Sequence, residues 1–177
     1  RKRPRPLGVS LRLSDELPPQ VGNSALEAEE RVRDILVSIG LQDTLAYRQT
    51  SPEREARIYA GRKAPEGLEY VRLRNPITPE RTVMRRSGMA TMLELLEHNA
   101  KFRPGLALFE LGPVFLPVEG ETLPHEALRL NIGMTGAWDT ASWDKAQSQP
   151  MDFFDLKGVV EALLDGLHLT EVRFQAA

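Results

Sequence analysis

An α+β fold, a largely antiparallel sheet flanked by helices, is predicted for this chain of 177 residues by three features of its sequence. Apolar residues recur at three-and-four spacing in three stretches, 24 to 39, 89 to 102 and 152 to 167, each bounded by residues that start or stop helices. Between the second and third lies an apolar run, Leu106 to Phe115, that suits a strand on a covered sheet. A turn at Val118 to Glu121 and an alternating segment, Leu128 to Met134, then bring the chain back antiparallel to it.

The first helix opens at Ser24-Ala25-Leu26-Glu27, which has the form of a capping box, after turn residues at Pro18, Pro19, Gly22 and Asn23. Ala28, Val32, Ile35, Leu36 and Ile39 share one face, Glu29, Glu30, Arg31, Arg33 and Asp34 surround the rest, and Gly40 supplies the stop. Leu45 and Tyr47 alternate within Gln42 to Thr50, the pattern of a strand. Ser51-Pro52-Glu53 starts a short helical turn, and the polar, Pro/Gly-punctuated run Arg54 to Gly67 reads as a surface loop or short edge hairpin. Leu68 to Arg74 predicts a strand that delivers the Asn75-Pro76 turn, where a second proline at Pro79 keeps the backbone out of helix.

Met89, Met92, Leu93, Leu96 and Ala100 line one face of the second helix, which Pro104-Gly105 closes. Glu110 is the one charged residue in the strand that follows. A carboxylate there costs free energy unless it is hydrogen-bonded or paired, so it requires a partner, a pocket or an interface. Asp139 to Pro150 reads as a polar loop anchored by Trp143. Asp152 caps the third helix, with Phe153, Leu156, Val160, Leu163, Leu164 and Leu167 on its apolar face, and Glu171 to Gln175 alternates as a last strand.

A net charge of -2 and an isoelectric point near 6.0 argue against RNA as the main partner of the chain. The absence of cysteine excludes disulfides, thiolate metal sites and cysteine nucleophiles. No apolar run reaches the roughly 18 residues of a membrane span, and a cytoplasmic location is the default expectation. Arg1 to Pro6, RKRPRP, reads as solvated connector rather than an RNA contact. Residues 1 to 20 are thus expected to link an upstream domain to a core at 21 to 177, in a chain whose first residue, Arg, suggests a piece of something longer.

Several motifs, taken in order, resemble one family. They are Asn75-Pro76-Ile77-Thr78-Pro79-Glu80, Met84-Arg85-Arg86-Ser87, the helix ending near Asn99, Phe109-Glu110-Leu111-Gly112 and Val114-Phe115. Leu123-Pro124-His125-Glu126, the region of Trp138 and Trp143, and Asp152 to Gly158 continue the series. Together they resemble the core domain of the beta subunit of bacterial phenylalanyl-tRNA synthetase; Gly88 and Ala90 depart from its usual apolar residue and proline. The resemblance implies a catalytically silent copy of the class II synthetase catalytic domain, truncated before its third-motif-like segment. It also implies pairing with the catalytic alpha subunit in a heterotetramer that charges tRNA with phenylalanine, using ATP and magnesium that this piece does not itself hold. The first helix and the strand after it resemble the class II element that carries a subunit interface, with packing on the domain's own sheet an equal alternative. Val32, Ile35, Leu36, Ile39, Arg85 and Glu110 are the interface candidates.

A catalytic site of its own is not expected. Class II sites place an Arg two residues before an acid so that a guanidinium meets the ATP phosphate, and before Glu110 that position is Leu108. Arg129 is followed four residues later by Gly133, not by Phe. His98, His125 and His168 lack metal-ligand spacing, no Gly-rich phosphate loop occurs, and Asp152 with Asp155 reads as a helix cap. Arg85 and Arg86 beside Ser87 are candidates to meet a phosphate, with pairing to Glu80, Glu110 or a partner's carboxylate the favoured reading. The remaining alternatives are a stand-alone class II-like ATP-dependent ligase or transferase and a tRNA-binding module. Apolar surface that normally meets the alpha subunit would let the isolated chain form homodimers.

Overall fold

The computed structural model describes residues 22–59, 65, 69–139, 143 and 149–175. The expected connector at 1 to 20 and most of the 60–68 and 140–148 segments lie outside the described residues. The chain runs α1 (Ser24–Ser38), β1 (Gln42–Asp43), β2 (Gln49–Thr50), α2 (Pro52–Ala56), a 3-10 turn (Arg57–Tyr59), β3 (Val83–Met84), α3 (Met89–Asn99), β4 (Gly105–Leu116), β5 (His125–Gly136) and α4 (Phe153–Gly166). β4 and β5 pair antiparallel over their full lengths without a bulge, β1 adds to the other edge of β4 in parallel, and β2 and β3 form a separate antiparallel pair.

All three long helices occur where the apolar spacing puts them, with corrections at their ends. Asn23, not Ser24, is the N-cap of α1: its backbone is still extended and its side chain accepts from the Leu26 N–H at 3.2 Å. α3 stops at Asn99 rather than 102, because Pro104 disfavours helix at Arg103; the Phe102 and Arg103 amides turn back onto the Asn99 carbonyl instead. α4 starts from a full capping box between Asp152 and Asp155. Ser51 caps α2 by accepting from the Arg54 amide at 3.3 Å, with Pro52 at the first helical position.

The strands depart further. The expected strand at 42 to 50 is two short pieces. Thr44 gives both its amide and its hydroxyl to the Phe109 carbonyl, at 2.9 and 2.8 Å, which ends the pairing with β4. The chain then leaves the sheet, exposing Leu45, before β2 pairs with β3. Only an isolated bridge, Arg72 to Val83, and its flanking amide bonds remain of the strand expected at 68 to 74. Residues 171–175 are not a strand, and Phe174 lies 5.0 Å from the Lys157 ammonium on α4.

Side chains alternate across β4 and divide the core between its two faces. Phe109 meets Leu36, Leu41, Val159 and Leu163, so α1 and α4 cover one face together. Leu106 and Leu108 meet Met92 and Leu96, so α3 covers the other. α3 comes so close that a Cβ on Gly133 of β5 would lie 2.7 Å from Leu96 Cδ1 and 2.9 Å from Met92 Cγ. Gly133→Val is therefore expected to lower unfolding free energy by about 1–3 kcal/mol in urea titrations, through overpacking beneath α3. A stability unchanged from the parent would show that α3 can lift from the sheet at no cost.

Candidate functional site

The α3-facing side of β4 carries Leu106, Leu108, Glu110 and Gly112 in succession. Two apolar side chains disappear under α3, and the next position outward is a carboxylate. Its partner is Arg85, which directly follows β3. Arg85 Nη1 donates to both carboxylate oxygens of Glu110 at 2.8 Å, and Nε donates to the Pro113 carbonyl at 3.0 Å. Both residues are interior, with Arg85 0% and Glu110 2% exposed. The Ala46 amide also approaches Glu110 at 3.4 Å.

The backbone of Arg85 works in the same direction as its side chain. Its N–H donates to the Arg48 carbonyl and its carbonyl accepts from the Phe115 amide, both at 2.9 Å. One residue thus ties the β2–β3 pair to the outer half of β4. Gly112 makes room for the guanidinium, since a Cβ there would lie 2.7 Å from Arg85 Nη2. Asn131, opposite Glu110 on β5, is buried beside Gly88, where a Cβ would lie 2.2 Å from Asn131 Nδ2. The departure from the family pattern at Gly88 therefore has a local physical reason: the helix entry passes directly over this side chain.

A second buried carboxylate, Glu55 of α2, accepts from the backbone amides of Arg86 and Ser87 at 2.8 and 3.4 Å and so holds the approach to α3. Its burial raises its pKa, and those two amides oppose the shift. Sequence reading missed Glu55 because one acid in the charge-rich run SPEREAR carries no periodicity that marks it as buried. Beside it, Glu94 of α3 accepts from Arg54 at 3.0 and 2.5 Å. A groove of about 240 Å³ opens above, between the 45–49 segment and α3, bordered by Leu45, Tyr47, Arg81, Glu94 and His98, with the Arg81 guanidinium 3.4 Å over the Tyr47 ring.

The other sequence candidates separate. Leu36 is 0% exposed, and Val32, Ile35 and Ile39 pack around the same core against α4 and the sheet. Leu108 also belongs to the core, so a guanidinium there would point into apolar packing, and its absence says nothing about a phosphate site. His98 packs on Phe102, and His168 lies 3.1 Å from the Arg31 guanidinium. Among the described residues no three His, Cys, Asp or Glu side chains are grouped to hold a metal, and no helix is long and apolar enough to cross a membrane.

Residues 14–177 match the family described as the phenylalanyl tRNA synthetase beta chain CLM domain. This chain belongs to that family. It is 34% identical over 167 residues to a phenylalanine–tRNA ligase beta subunit of Syntrophotalea carbinolica, covering 94% of this chain and 20% of that protein. The corresponding subunits of Syntrophus aciditrophicus and Bacillus subtilis are 37% and 35% identical over 147 and 152 residues, covering 82% and 85% of this chain and 18% of each protein. The chain spans about a fifth of the length of the curated relatives it matches. In fold it is similar to pyrrolysyl-tRNA synthetase from Desulfitobacterium hafniense, with a TM-score of 0.59 at 16% identity over 82% of this chain and 48% of that one. The CLM domain here thus has the mixed α+β fold of a class II synthetase domain.

Two measurements test the polar interior. Arg85→Leu leaves Glu110 buried without its cation and is expected to cost about 3–5 kcal/mol in chemical denaturation, while Arg85→Leu with Glu110→Leu costs less than the single change. An equal or larger loss in the double variant would show that the pair is not coupled. Because the folded pKa of Glu55 is raised, its contribution favours folding at low pH and declines as pH rises from the ordinary carboxylate value of 4.5 through the folded pKa. Glu55→Gln keeps an acceptor for the two amides and should flatten that decline in a pH series of unfolding midpoints; an identical pH profile would mean that Glu55 ionises as it does in the unfolded chain.

Proposed function

We propose that this domain is the non-catalytic core of a phenylalanine–tRNA ligase beta subunit, and that it pairs with the catalytic alpha subunit in a cytoplasmic enzyme that charges tRNA with phenylalanine. ATP and magnesium serve the whole enzyme, and residues 21 to 177 form the unit that pairs. The observation that carries the non-catalytic reading is the filled space beneath α3. Met92 and Leu96 occupy the sheet face directly over Leu106, Leu108 and Gly133, and Glu110 is committed to Arg85. The β4–β5 connection adds to this: from Pro117 to Pro124 it carries Glu119 and Glu121 and no Lys or Arg to neutralise a triphosphate.

The alpha subunit meets α1 in this reading. Val37 is 53% exposed and Leu26 is exposed on the same helix, while Val32, Ile35 and Ile39 form the margin against the domain's own core. Leu36, Arg85 and Glu110 act from beneath, by fixing the helix and the sheet on which it lies. Free of alpha, the same chain self-associates.

Light scattering after size-exclusion chromatography, with the alpha subunit from the same source, tests the pairing. A stable mixed complex is expected. Val37→Asp should weaken it without lowering the melting temperature, whereas Leu36→Asp should cost about 3–5 kcal/mol of stability by burying an unpaired charge. Failure of the two proteins to associate would sink the reading, and saturable ATP binding by this chain alone would favour the stand-alone ligase.

A further inference from the structure

Charge is unevenly spread along this chain. Between Thr44 and Arg86 it carries ten Arg or Lys and five Glu, although the whole chain has a net charge of -2. All three tyrosines, Tyr47, Tyr59 and Tyr70, fall in the same stretch. Three of its arginines are committed to carboxylates from elsewhere in the chain: Arg54 and Arg57 meet Glu94, and Arg85 meets Glu110. Glu55 is buried against the Arg86 and Ser87 amides instead of facing solvent. Among the described residues Arg48, Arg72, Arg74, Arg81 and Arg86 form no ion pair.

Two of these five guanidiniums lie over tyrosine rings. That of Arg81 is 3.4 Å from the centre of the Tyr47 ring, and that of Arg86 is 5.9 Å from the centre of the Tyr70 ring. Stacking holds a guanidinium flat and leaves its N–H edge for an acceptor, the form in which arginine meets a phosphate bidentately. Arg72 bridges Val83 and the Leu73 amide donates to the Thr82 carbonyl at 2.9 Å, so Arg72 and Arg74 run alongside Arg81. Arg48, Arg72 and Arg74 are exposed, and Tyr47 is 67% exposed. We infer that this unit, residues 44–59 with 69–86, is an RNA contact surface: Arg72, Arg74 and Arg81 take tRNA phosphates, and the remaining face of Tyr47 takes an unpaired base. The inference rests on the reading that the chain serves a tRNA-charging enzyme, and it assigns part of the tRNA contact to this domain. An aromatic face stacks on any base and a guanidinium meets any phosphate, so the surface reads RNA as a chain and not by sequence. The acidic balance of the whole chain does not oppose it, because exposed charges more than about 8–10 Å away are largely screened.

The test measures binding of unfractionated tRNA to the 177-residue chain by fluorescence anisotropy over a salt series. Saturable binding is expected with a dissociation constant of roughly 1–100 μM, weakening with salt at a log–log slope of about -2 to -3. Arg72→Gln with Arg74→Gln should weaken it about tenfold and reduce the slope by about 1–2, at an unchanged melting temperature. Arg129→Gln with Arg173→Gln removes the same charge from exposed positions elsewhere and should change affinity little. Tyr47→Ala should weaken tRNA binding about tenfold while leaving retention on heparin, a polyanion without bases, as it is. Absence of saturable binding overturns the inference, as does an equal loss in the two double arginine variants, which would trace binding to net charge alone. So does pairing with the alpha subunit that weakens on Arg72→Gln with Arg74→Gln, which would make the surface a protein contact. A chain that shows this tRNA pattern and does not pair with the alpha subunit keeps the RNA surface and overturns the pairing.

Discussion

The buried pair of Arg85 and Glu110 is the constraint on which the arrangement of the outer half of this domain depends. Glu110 is fixed in the middle of the longest strand pair, and Arg85 directly follows the two-residue strand β3, which pairs with β2 and not with β4. Two charge-assisted bonds, a side-chain bond to the Pro113 carbonyl and two backbone bonds converge at Arg85. A buried ion pair adds little net stability compared with apolar side chains of similar volume, because desolvation consumes much of the attraction. Its contribution here is positional: it sets where the segment before α3 meets the sheet.

That placement determines what the sheet face can do. With Arg85 docked, Glu55 holds the next two amides, Gly88 passes over Asn131, and α3 descends onto Gly133. The inner half of this sheet face is consequently packed by Met92 and Leu96 over Leu106 and Leu108.

Much of this was legible in the sequence. Helix existence followed from spacing and breakers, and Glu110 identified itself as needing a partner because an acid stood alone in an apolar strand. Arg85 was among its named partners. Glu55, equally buried, gave no such signal, since its neighbours are charged and its burial arises from segments 31 and 32 residues away. Leu108 was aligned with a phosphate-binding Arg on spacing alone, and only the packing revealed that its position faces the core.

The sequence by itself determined the three amphipathic helices, the antiparallel β4–β5 pair and membership of the family, because these depend on local periodicity and on motifs read in order. The tertiary structure decided the rest: that the segment after β1 leaves the sheet at Thr44, that 171–175 does not pair, and that Leu36 lies inside while Val37 faces out. It also decided that the one isolated acid is neutralised within the chain. These outcomes depend on which segment reaches which partner across long separations, and periodicity carries no information about that choice.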